Sequence, residues 1–165
     1  MSTRQLTYGA IFAALYVVIG QFVTQYLPNP MIPGAVIALN MTVVVIAGIL
    51  FGPAVGGMVG LVGTAVNFVL TPTAAKPFEG WAILPHTAMG AAAGLARNAH
   101  PVLASLTILV GHALNVLFYV ATGLLPLRDV IVAGFVVGLG FETIVDVGVI
   151  VAAVYLLRPW LQPRG

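Results

Sequence analysis

The sequence predicts an all-α membrane protein: a compact bundle of six transmembrane helices with both termini in the cytoplasm and a cavity facing outward. Three observations carry this. Of 165 residues, 61% are hydrophobic and only 6% charged, where a soluble domain carries about 25% charged residues. The apolar residues fall into six long stretches, separated by short segments rich in proline, glycine and charge. The few polar residues inside those stretches gather in one half of their depth. On length the chain is one domain, residues 1–165.

The first span is expected over residues 6–25. Its small residues Gly9, Ala10, Ala13 and Ala14 form overlapping small-x-x-x-small pairs that admit another helix closely. Tyr26–Pro33 holds three prolines and reads as a loop. The second span, 34–51, contains Asn40 and ends at the tight turn Gly52-Pro53. The third, 54–70, continues a Gly52-x3-Gly56-x3-Gly60 close-packing face and carries Asn67 near its end. The loop Thr71–Gly80 follows, with Lys76, Glu79 and two prolines.

The fourth span, 81–96, is short and rich in small residues, with His86 near its start and Gly90-x3-Gly94 inside. The turn Arg97–Pro101 leads to the fifth span, 102–122, where His112, Asn115 and Tyr119 share a helical face. The sixth, 130–157, is nearly continuous apolar sequence interrupted by Glu142 and Asp146, four residues apart and therefore stacked on one face. A charge at mid-bilayer costs at least about 2.5–3.5 kcal/mol, so such a residue normally faces the bundle interior or a water-filled cavity.

Six spans put the termini on one side together with Arg4, Arg97, Arg158 and Arg164, against Lys76 and Arg128 on the other. The positive-inside rule makes the terminal side cytoplasmic. At about 1.5 Å of rise per residue, Asn67 and His86 are then about 6 Å below the outer surface and Asn40 about 9 Å. Asn115 lies about 12 Å deep, and His112 and Glu142 near the midplane at about 16 Å. Asp146 is one turn further in. The inner half is apolar and small, so the pattern is a cavity open to the outside and closed at its floor. The proline-rich segments 26–33 and 71–80 are placed to cover it. Trp81, Phe78 and Tyr26 lie at the level where they either stack on a planar ligand or belong to the aromatic belt at the headgroups.

Each polar residue also has a plainer reading. Asn40, Asn67 and Asn115 can hydrogen-bond between helices. His112 can pair with Glu142 as a contact between neighbouring helices. Asp146 can be a satisfied core carboxylate, and His86 can cap its helix. The convergence of so many polar groups in one half of a small bundle favours a binding site, with Asn40, Asn67, Glu79, Trp81, His86, His112, Asn115, Tyr119, Glu142 and Asp146 as candidate ligand contacts.

Several chemistries have no support. There is no cysteine, hence no disulfide or thiolate site. Gly52–Gly60 lacks the Gly-Lys-Ser/Thr ending of a P-loop. Ser2 and Ser105 are the only serines, and no G-x-S-x-G elbow is present. No H-E-x-x-H motif or close histidine pair supports a metal, so neither metal nor cofactor is expected and no enzyme is implied. The residues leave open a self-sufficient proton-coupled transporter using His112, Glu142 and Asp146, an intramembrane enzyme, or a structural subunit. The apolar inner half offers protons no polar exit.

Over nearly its whole length the chain resembles the S components of energy-coupling-factor (ECF) vitamin transporters. The resemblance rests on Ala10-x3-Ala14 in the first span, on the run Asn40–Gly63 with its Leu50-Phe51-Gly52-Pro53 turn and spaced glycines, and on Leu84-Pro85 followed by Met89–Ala96. It implies a prokaryotic cell-membrane protein that captures a vitamin or related heterocycle from outside. It also implies partners, a membrane T subunit and two cytoplasmic ATPases, with Ala10, Ala13 and Ala14 on the docking helix. The candidate pocket residues are net acidic, with Lys76 the only outer-loop cation beside them and no intramembrane arginine to meet a phosphate. A neutral or cationic heterocycle is therefore favoured.

Overall fold

The computed structural model describes residues 1–30, 36–71, 80–130 and 133–161. Helix α1 (Thr3–Phe22) opens with a reciprocal cap: the Ser2 hydroxyl accepts from Gln5 N–H, and Ser2 N–H donates to the Gln5 side chain. Its buried face is Gly9, Phe12, Ala13, Tyr16 and Gly20, while Ala10 and Ala14 point away from the bundle. A 3-10 turn, Thr24–Tyr26, ends this element.

Helix α2 (Asn40–Phe51) is 12 residues long, shorter than the 34–51 segment expected. The shortening has a visible cause. The residues before Asn40 direct their N–H groups elsewhere: Ile37 donates to the Leu27 carbonyl at 2.8 Å and Ala38 to Glu142 Oε1 at 2.8 Å. Val36 bridges Pro28 in an antiparallel pair. At about 1.5 Å per residue α2 spans only about 18 Å.

Gly52, at φ +95°, makes the tight turn into α3 (Pro53–Leu70), with proline at the first helical position where its missing N–H costs nothing. Helix α4 is Ile83–Leu95. The expected fifth span is present as Pro101–Ala121, with a turn at Leu106 and Thr107 dividing it into α5 (Pro101–Ser105) and α6 (Ile108–Ala121). A short α7 (Leu127–Val130) precedes α8 (Ala133–Leu161), whose 29 residues span about 44 Å.

Glycine governs how closely these helices meet. A Cβ on Gly56 would lie 2.2 Å from the Gly90 carbonyl oxygen, and one on Gly60 2.3 Å from that of His86. One on Gly94 would lie 2.1 Å from Pro53 N. Backbones of α3 and α4 therefore touch directly, and α2 and α1 pack around this pair. Buried Val44, Val45, Val55, Val59, Met89 and Ile150 fill the core between α2, α3, α4 and α8.

The outside is as apolar as the inside: Val69, Leu95, Ile144, Leu156 and Trp160 are among the most exposed side chains. Such a surface needs lipid against it. Among the described residues, four stretches are long and apolar enough to cross a membrane: Thr3–Phe22, Pro53–Leu70, Pro101–Ala121 and Phe135–Leu161. Three arginines gather at one end of the bundle. Arg4 donates to the Leu161 carbonyl at 2.9 Å, Arg158 to the Arg97 carbonyl at 3.0 Å, and Arg97 lies beside Gly52.

Candidate functional site

The polar side chains expected inside the spans are buried, and they separate into distinct groups. The first centres on His86, one turn into α4 and buried. Tyr16 Oη from α1 and Thr64 Oγ1 from α3 each approach its Nδ1 to 2.9 Å, and Asn115 Nδ2 from α6 approaches Nε2 at 3.3 Å. An Asn115 N–H donating to Nε2 makes the ring the Nδ1–H tautomer, which then donates toward the two hydroxyl oxygens. Asn115 Oδ1 is buried with no protein partner among the described residues.

A second group ties α1 to α2 and α3. Gln21 Nε2 donates to Asn67 Oδ1 and to Thr71 Oγ1, both at 2.7 Å, and Thr24 Oγ1 reaches Asn40 Oδ1 at 3.5 Å. Gly20 lets both asparagine side chains come close, since a Cβ there would lie 3.0 Å from Asn67 Oδ1 and 3.3 Å from Asn40 Nδ2. Asn40 and Asn67 are thus hydrogen-bonded to side chains of the first helix and the turn that follows it.

The third group joins α6 and α8 beneath the segment that follows α1. His112, Glu142 and Asp146 bring one ligand-type atom each within 4.8 Å of one another. His112 Nε2 faces Asp146 Oδ2 at 3.4 Å, so the imidazole meets Asp146 rather than pairing with Glu142 alone. Glu142 is held from the other side by Ala38 N–H, and the Asn29 side chain hydrogen-bonds it as well. Asn29, between two prolines in a segment expected to be a loop, is itself buried and donates to the Gly138 carbonyl at 3.2 Å. The connection after α1 is therefore plugged into the bundle against α8.

Beside this group, α6 and α8 diverge around an apolar cleft of about 590 Å³ lined by residues such as Val116, Leu117, Val120, Phe135, Leu139 and Thr143. Trp81 is 46% exposed and stacks on Phe118, ring centroids 6.4 Å apart. Tyr119 is half-buried and Tyr26 exposed. Lys76, Phe78 and Glu79 lie outside the described residues, as does Arg164. Ala13 is 7% exposed and packs inward, so of the three small α1 residues only Ala10 and Ala14 are presented outward. Tyr16, Gln21, Asn29, Thr64 and the Ala38 amide were not among the expected site groups. Thr64 and Asn67, three apart on α3, carried a periodic signal of a polar face. Asn29 and Ala38 carried none.

Among the described residues, a helical bundle with an apolar, lipid-facing surface and polar groups buried in its core defines a membrane-embedded protein. The chain belongs to the family of ECF-type riboflavin transporter S components, whose family model matches residues 1–158. This is a family of vitamin-uptake membrane proteins, not of enzymes. No curated protein and no solved structure matches the chain.

Proposed function

We propose that this protein is the substrate-binding subunit of an ECF importer and that its ligand is riboflavin. The family match over residues 1–158 carries the reading. Riboflavin is an uncharged heterocycle, the class that a site without intramembrane arginine favours. In this reading the six apolar segments of the sequence cross the membrane, with the Arg4–Arg97–Arg158 end cytoplasmic by the positive-inside rule. The vitamin enters from the opposite end, where the connection after α1 covers α8.

The cleft between α6 and α8 has the size and apolar lining of a small-molecule site, about 300–1,000 Å³ in typical cases. A flavin ring there packs on Val116, Val120, Phe135 and Leu139, while Asn115 faces His86 on the neighbouring side of α6 with a buried acceptor of its own. Trp81 and Tyr119 flank the entry, and Glu142 secures the cover through Ala38. The exposed Ala10 and Ala14 face docks on a membrane T subunit driven by two ATPases, while Ala13 packs inside. Transport without such partners is disfavoured: past Asp146 the same face of α8 continues with buried Ile150 and Val154, which relay no protons.

Purified protein should release riboflavin on denaturation, detected by mass spectrometry, and stripped protein should quench riboflavin fluorescence at one equivalent. Vesicles containing the protein alone should show no accumulation. No flavin on release together with no saturable quenching would overturn the substrate reading. Pumping by the protein alone would overturn the subunit reading.

A further inference from the structure

The group His112, Glu142 and Asp146 has an unusual deficit. Two carboxylates and an imidazole are buried together, at 7%, 0% and 3% exposure for Glu142, Asp146 and His112. Among the described residues no arginine or lysine balances them. Arg4, Arg97 and Arg128 are exposed and Arg158 sits at the bundle end, tied to the Arg97 carbonyl. His86, the nearest other titratable ring, is committed to Tyr16, Thr64 and Asn115.

The hydrogen bonding is equally incomplete. Apart from their contact with each other, both ring nitrogens of His112 and both carboxylate oxygens of Asp146 lack a hydrogen-bond partner among the described residues. Their mutual contact of 3.4 Å is long for a charge-assisted bond, which runs about 2.7–2.9 Å. Leaving such groups buried and unmatched is costly. Glu142, by contrast, is already oriented by Ala38 N–H and Asn29, as an outer shell orients a metal-binding carboxylate.

We propose that His112, Glu142 and Asp146 form a divalent transition-metal site in the interior of the bundle, joining α6 to α8. A divalent cation cancels both carboxylate charges and supplies the partner that His112 and Asp146 lack. One imidazole and two carboxylates suit zinc and its neighbours in the first row better than soft, thiolate-seeking ions. The atoms lie within 4.8 Å of one another, and small side-chain rotations bring them to the roughly 3.3 Å ligand–ligand edge of a tetrahedral site. Three protein ligands leave a fourth position for water or a heteroatom of a bound molecule. Imidazole and carboxylate at 86, 112, 142 and 146 suit several divalent ions, but the imidazole of His112 comes from a different helix and no short motif links it to the carboxylates.

The test uses full-length protein in detergent, stripped with chelator and titrated with Co²⁺. The expected result is one equivalent bound, with visible d–d absorption that Zn²⁺ abolishes. His112→Ala and the isosteric Asp146→Asn should each weaken binding at least about 100-fold, since even outer-shell changes cost about 10–100-fold. His100→Ala, an exposed histidine at the far end of the α5 cap, should leave binding intact. Absence of cobalt absorption in the wild type overturns the proposal without any variant. So does binding that survives both substitutions, or binding lost in His100→Ala. The site does not depend on the vitamin: riboflavin quenching on the same preparation separates the two, since flavin without metal overturns this inference alone and metal without flavin overturns only the substrate reading.

Discussion

Replacing Gly56 by alanine tests the backbone contact on which the bundle rests. The new Cβ would stand 2.2 Å from the Gly90 oxygen, 2.6 Å from Gly48 Cα and 2.8 Å from the Gly90 carbonyl carbon. All three obstacles are backbone, so no rotamer change relieves them. Restoring an ordinary contact requires α3 to withdraw from α2 and α4 by about 1 Å, loosening dispersion contacts along the whole crossing. Overpacking of this kind costs about 1–3 kcal/mol, and a clash with rigid backbone belongs at the upper end. For a chain of this size about 3 kcal/mol corresponds to a fall in Tm of roughly 6–12 °C. Gly57→Ala is the control. It sits on the same helix with the same propensity gain, but its Cβ would find only ordinary contact, 3.7 Å from the Thr87 oxygen. Thermal unfolding in detergent, followed by the fluorescence of Trp81 and Trp160, reads both variants. Gly56→Ala melting together with Gly57→Ala would refute the close-packing argument.

Three further outcomes follow from the same structure. His86→Ala removes the shared partner of Tyr16, Thr64 and Asn115 and should destabilise by at least about 2 kcal/mol in the same melt; an unchanged Tm would mean the network contributes nothing. Glu142→Ala frees the Ala38 amide and should weaken riboflavin binding about 10–100-fold by quenching titration, as should Asn115→Ala; wild-type affinity in both would place the ligand elsewhere. Ala10→Trp with Ala14→Trp should abolish co-purification with the T subunit while flavin affinity and Tm stay unchanged, and a complex that survives both changes would refute the docking face.

Periodicity made much of this readable. The apolar stretches marked every long helix, and the glycines at 56, 60, 90 and 94 declared a close crossing before their partners were known. Glu142 and Asp146 announced an inward face of α8 because four residues make one turn. Pairing across helices was less legible. That His112 meets Asp146, or that His86 gathers groups from α1, α3 and α6, depends on helix rotations that no local spacing encodes. The shortening of α2 was hidden for a related reason: Ile37 and Ala38 look like helical apolar residues, and only Leu27 and Glu142, remote in sequence or in the fold, divert their amides. Asn29 in its Pro-Asn-Pro setting looked like surface loop, because composition signals a turn without saying whether the turn is pushed inward.

The hydrogen bonds of Asn29 and Ala38 to α8 have a mechanical consequence. Helix α2 reaches only about 18 Å, so backbone with no helical bonding stands beside it at the depth of the bilayer, where a stray amide has no water to turn to. If that backbone swung away from the bundle alone, it would strand the Ala38 N–H in hydrocarbon and Glu142 without its donor. Cover and helix are thus one moving body. Displacing Asn29 or Ala38 therefore pulls on α8 at Gly138 and Glu142, beside the diverging gap between α6 and α8.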